Sequence, residues 1–184
     1  MQFMFRDCIS LVSLNLAGLD ASNVETVVGM FYQCKSLSSL DMTNFKTRNV
    51  KQVAGLFHSC FKLTSVNLKS FNTAQVLDMN NMFYGCLSLQ SLDISNFDTS
   101  KVVNMLNMFY SCRSLKRLDL STFRTSSVTN MNGLFVDCSS MTTLDISNFD
   151  TSNTNTMVNM FYNCIKLSEI NLKSFQTSSL TSIS

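Results

Sequence analysis

The sequence predicts an α/β solenoid of about seven 26-residue coils, each with a short parallel β-strand and a short helix. Three observations predict it. The seven cysteines, Cys8, Cys34, Cys60, Cys86, Cys112, Cys138 and Cys164, recur at a constant spacing of 26. A phenylalanine stands three residues before every one of them, from Phe5 and Phe31 to Phe161. An L-x-x-L-x-L segment follows each cysteine, as in Leu89, Leu92 and Ile94. No single coil can bury its own apolar side chains, so stacking of neighbours must do it.

Taken along one coil, the elements follow from periodicity. Met82, Phe83, Cys86 and Leu89 fall at i, i+1, i+4 and i+7, the apolar face of a short helix. Gly29, Gly55, Asn81, Asn107, Gly133 or Asn159 comes just before that segment, and glycine and asparagine suit a helix start. Leu92 and Ile94 then alternate with polar neighbours, as a half-buried strand does. A second aromatic column follows at Phe45, Phe71, Phe97, Phe123, Phe149 and Phe175. Parallel strands in such a stack lie about 4.8 Å apart.

Composition narrows the function. The chain has 184 residues, 45% of them hydrophobic, and no proline, so it can bury a core without long irregular linkers. A net charge of +2, with only 14% of residues charged, gives no electrostatic footprint for nucleic acid. No apolar run approaches the roughly 20 residues that span a bilayer, so no membrane insertion is expected. The start, Met1-Gln2-Phe3-Met4-Phe5-Arg6, lacks the basic and apolar regions of a secretory signal.

The motif M-F-x-x-C-x-x-L-x-x-L-D-[LI]-S-x-F-x-T runs from Met82 to Thr99, and its second half recurs from Leu144 to Ser152. It resembles the 26-residue leucine-rich-repeat variant of BspA-like surface proteins. That resemblance implies a right-handed leucine-rich-repeat solenoid, a cell-surface or extracellular location, and a role in adhesion. Residues 1–184 are expected to form one such solenoid, a segment of a longer array. Met1 takes the same column position as Val27, Val53 and Met79, and uncapped ends invite end-to-end self-association.

The cysteine ladder reads as a reduced, buried core rather than a metal or disulfide set, because zinc sites pair cysteines locally and none here are closer than 26 in sequence. Thr47, Thr73, Thr99, Thr125, Thr151 and Thr177 read as a hydroxyl ladder serving backbone groups. Arg6, Tyr32, His58, Tyr84, Tyr110, Val136 and Tyr162 read as a stack along one side. His58 is the single histidine, and no nucleophile-base-acid set, phosphate loop or cofactor motif can be assembled. No enzyme activity, metal or cofactor is expected.

An outward column of Asp and Asn on the strand, with its polar neighbours, is the expected contact surface for a protein or glycan partner. Its charged members are Asp41, Lys69, Asp93, Arg117, Asp119, Asp145, Glu169 and Lys173. The function expected from this reading is a non-enzymatic recognition module in adhesion. The rival is a structural element of a larger assembly with no separable ligand.

Overall fold

The computed structural model describes residues 1–182. Its regular elements are four three-residue strands: β1 (Ser39–Asp41), β2 (Ser65–Asn67), β3 (Thr143–Asp145) and β4 (Glu169–Asn171). β1 pairs with β2 and β3 with β4, both parallel, giving two separate two-stranded sheets. Their registers set Leu40 beside Val66 and Leu144 beside Ile170. There is no helix among the described residues.

The expected α/β leucine-rich-repeat solenoid is therefore corrected: the helix is absent, and the strand forms in only part of the chain. Positions 26 apart do meet, but largely through turns and isolated bridges. Thr26, Gln52, Asp78, Asn104, Asn130, Thr156 and Ser182 form one unbroken line of parallel bridges. We call each 26-residue stretch from one bridge to the next a layer.

The helix is excluded by spacing. The phenylalanine rings before the cysteines stack from Phe5 to Phe161 with centroids 5.5–5.9 Å apart. Packed helices need about 8–10 Å between axes. The segment instead alternates its hydrogen bonds. Asn81, Phe83 and Gly85 donate their N–H to Leu106, Met108 and Tyr110 of the next layer at 2.7–2.9 Å. Met82, Tyr84 and Cys86 close tight turns onto the carbonyls three residues back, at 3.1–3.2 Å. Left-handed residues punctuate it, Asn81 at φ 54° and Gly85 at φ 71°, and the same pair of positions recurs as Gly133 (61°) and Asp137 (59°). The glycines and asparagines read as helix starts are thus left-handed turn residues.

The strands have their own condition. Where pairing forms, an acid sits beside an amide, Asp41 by Asn67 and Asp145 by Asn171. Where acid follows acid, at Asp93, Asp119 and Asp145, no strand pairing forms, and the Asp93 charge works against the lowering of the Asp119 pKa by its Ser121 hydrogen bonds; pairing is also missing at the amide–acid step from Asn67 to Asp93. Like charges placed directly opposite destabilise a strand pair. Between Asn67 and Asp93 only a longer bond flanks the gap, Gln90 N–H to Thr64 O at 3.3 Å.

A single apolar cluster runs from Leu16 to Met160, including every phenylalanine of the second column from Phe45 to Phe149. Two polar ladders line it. Each buried thiol from Cys60 to Cys138 donates to the carbonyl of the phenylalanine 29 residues earlier, at 3.1–3.3 Å. From Thr47 to Thr151 each threonine hydroxyl of the column does double service: Thr99 Oγ1, for example, donates to Arg124 O at 2.9 Å and accepts from Arg124 N–H at 2.7 Å. Buried backbone groups that face a gap between turns are satisfied in this way.

Candidate functional site

All eight charged residues expected to meet a partner are exposed. The structure does not gather them into one site. Asp41, Lys69 and Asp93 border a shallow depression of about 410 Å³ over β1 and β2. Asp145 and Glu169 border another of about 290 Å³ over β3 and β4. Arg117, Asp119 and Lys173 line neither.

The Asp/Asn column has local work. Each member accepts from the backbone N–H two residues on, for example Thr43 to Asp41 at 3.0 Å, Ser121 to Asp119 at 2.9 Å and Lys173 to Asn171 at 3.2 Å. These turn bonds hold the carboxyls of Asp41, Asp119 and Asp145 below the ordinary range, backbone N–H first and side-chain hydroxyl second; for Asp93 the Ser95 hydroxyl leads. An aspartate closing its own turn is a structural device common to such loops. Among the described residues, no group of three or more His, Cys, Asp or Glu is placed to hold a metal ion.

The ring column on the opposite side is stacked. Tyr32, His58, Tyr84 and Tyr110 lie face to face with centroids 4.3–4.6 Å apart, and the Arg6 guanidinium covers Tyr32 at 4.8 Å. His58 accepts from or donates to Ser59 Oγ through Nδ1 at 2.9 Å, and burial between the rings lowers its pKa. The thiols are driven the other way: burial raises Cys34 to about 11 and lifts Cys86 and Cys112 well above their ordinary value. Cys8 alone is exposed and Cys164 is half-buried.

The most distinctive surface is the last layer. A cavity of about 540 Å³ opens there, walled by Met157, Met160, Phe161, Tyr162, Leu172 and Phe175. Inside the molecule the Leu172 column is sealed, with Met42, Leu68, Ile94, Leu120 and Ile146 at most 1% exposed; Leu172 is 42% exposed. Ile170 is 37% exposed, whereas Leu40, Val66, Leu92, Leu118 and Leu144 of its column stay at or below 9%. The opposite end shows Phe3, Met4, Ile9 and Val12. The columns were legible in the sequence, but the cavity was not, since it depends on how each side chain leans toward one neighbouring layer.

A family model described as "Mycoplasma protein of unknown function, DUF285" matches residues 1–112 and again 87–184. The chain belongs to this DUF285 family. That assignment replaces the BspA-like leucine-rich-repeat one, which the missing helices and the two small sheets also oppose. None of the curated proteins matches the chain. Among solved structures, a leucine-rich repeat protein from Bacteroides ovatus is similar at 18% identity and a TM-score of 0.47. The match covers 94% of this chain, which spans 43% of the other's length.

The functional expectation changes with the fold. Adhesion through a leucine-rich-repeat strand face, and the rival role drawn from the same solenoid, lose their basis. The structure offers two separate two-stranded sheets rather than a continuous strand face, and the DUF285 description assigns no function. No helix among the described residues is long and apolar enough to cross a membrane.

Proposed function

We propose that this DUF285 protein is non-catalytic and that the apolar end of its described core docks further polypeptide, a following layer of the same protein or another chain. One observation carries the reading: side chains that are sealed in every inner layer are a third or more exposed at Ile170 and Leu172. Monomers seldom leave a contiguous apolar face open, and such faces mark association sites. The absence of catalysis is supported by His58, which is pressed between two tyrosine rings and bonded to Ser59 instead of facing a cleft.

In this reading residues 1–184 act as one unit within a longer stack, and the cell-surface location belongs to the same proposal. Labelling of intact against permeabilised cells checks the location, and signal only after permeabilisation would overturn it. The docking itself is tested by light scattering of the 184-residue chain across concentration. The wild type should grow in mass, and the Ile170→Lys/Leu172→Glu variant should stay monomeric with an unchanged melting temperature. A wild type that remains monomeric at about 100 μM, the affinity scale of a weak specific contact, would overturn the reading.

A further inference from the structure

We propose that Tyr84 and Tyr110 form an oxidative modification site, at which a small one-electron oxidant joins the two rings as an intrachain dityrosine and so staples two middle layers together. The site lies in inner layers and is independent of the docking reading above.

The four tyrosines of the chain, Tyr32, Tyr84, Tyr110 and Tyr162, all stand in the ring column. His58 separates Tyr32 from Tyr84, and Val136 separates Tyr110 from Tyr162. Only Tyr84 and Tyr110 therefore meet as neighbours in adjacent layers. Their centroids lie 4.6 Å apart and their planes are 11° from parallel, so each ring carbon faces its counterpart across the stack. The backbone holds them there, with Phe83 N–H on Met108 O at 2.9 Å before the rings and Gly85 N–H on Tyr110 O at 2.7 Å after them. Behind them Phe83 and Phe109 stack at 5.8 Å. Both tyrosines are half-buried, so ring edges meet solvent while the stack restrains the faces.

A phenol that loses one electron and one proton becomes a phenoxyl radical, whose unpaired electron is shared among the oxygen and the ring carbons beside and opposite it. The opposite carbon carries the side-chain link, so coupling falls on the carbon beside the hydroxyl. Burial, followed by the Tyr110 and Asp137 charges, holds the Tyr84 phenol above its ordinary value, so its oxidation releases a proton to water at the open edge. The two radicals form one carbon–carbon bond, and the hydrogens on the joined carbons pass to the oxygens and restore both phenols. In sum the pair loses two electrons, to two equivalents of the oxidant, and two protons. Tyr32 lies between Arg6 and His58 and has no second phenol to couple with.

The place of the pair gives the bond a consequence. Asp93 and Asp119 belong to the same two layers, and no strand pairing joins them. A cross-link on the ring side ties the layers that the strand side leaves apart, and it removes freedom from the unfolded chain.

The test is visible-light irradiation of the dilute wild-type chain with persulfate and a ruthenium(II) tris-bipyridine sensitiser. Dityrosine fluorescence should appear in the monomer. Lys101 lies between the two tyrosines, so trypsin should release two peptides joined through Tyr84 and Tyr110 with two hydrogen atoms lost. Tyr84→Phe and Tyr110→Phe keep the ring stack and should lose nearly all the fluorescence, whereas Tyr32→Phe should keep it. Adding His58→Tyr to Tyr110→Phe should restore it by making neighbouring phenols of positions 32, 58 and 84. The cross-linked wild type should melt about 5–10 °C above the untreated chain. No dityrosine, cross-links between chains only, a joined pair other than Tyr84 and Tyr110, or an unchanged melting temperature would each overturn the inference. The peptide map needs no substitution, so it decides the site even if a variant fails to fold.

Discussion

The two sides of each layer are built from the same 26-residue pattern yet are held together differently. On the cysteine side, bonds between layers are unbroken from Phe3 to Asp137, the rings stack throughout, and thiols and carbonyls satisfy one another. On the strand side, pairing exists at β1–β2 and β3–β4 and lapses between them. Part of the difference lies in what faces what: neutral rings and thiols tolerate stacking on their own kind, whereas the carboxylates of Asp93, Asp119 and Asp145 repel, although pairing also lapses between Asn67 and Asp93. A pattern that superposes identical residues thus strengthens an apolar column and weakens a charged one.

The comparison can be broken most forcefully at a ring. Phe83 is fully buried between Phe57 and Phe109, so Phe83→Ala should cost about 3–5 kcal/mol by chemical denaturation, whereas Asp93→Ala on the strand side should stay near wild type. Equal losses at the two positions would show that the sides are energetically alike. Next in size is Thr99→Val, which leaves Arg124 N–H and C=O without their shared hydroxyl and should cost roughly 1–3 kcal/mol.

A third test uses pH. The buried thiols hold their protons above the ordinary value of 9.0, so above about pH 9 the unfolded chain sheds protons that the fold retains, and stability falls as pH rises. Melting temperatures between pH 8 and 10.5 should decline, and less steeply in Cys86→Ala. A slope that the substitution leaves unchanged would place the alkaline sensitivity elsewhere. The smallest effect is a gain. Asp119→Asn removes both acid-on-acid neighbours of Asp119 and should raise the melting temperature by about 2 °C. A loss instead would mean that charge is not what interrupts the strands.

The inward columns were legible because a spacing of 26 leaves few other ways to bury Phe, Cys and Leu together. The helix was misread because apolar residues at i, i+1, i+4 and i+7 also suit a run of tight turns. Only the positive φ at two positions four apart, such as Asn81 and Gly85, separates the two, and asparagine and glycine are compatible with either. The strands were half legible: alternation around Leu92 and Leu118 is perfect, yet neither segment pairs as a strand. The eight candidate surface residues came out exposed, as alternation requires, but alternation says nothing of whether exposed residues converge. Uncapped ends were expected from the repeat, but the cavity at the last layer was not, because the leaning of side chains between layers has no signature in residue type.

The interruption on the strand side also sets where the molecule breathes. Amide hydrogens at Leu92 and Leu118 lack the ladder that protects Phe83 and Phe109, so solvent deuterium should enter there by small local openings while the ring column stays closed. The middle layers would then act as a one-sided hinge, parting along the acidic edge and pivoting on the stacked rings.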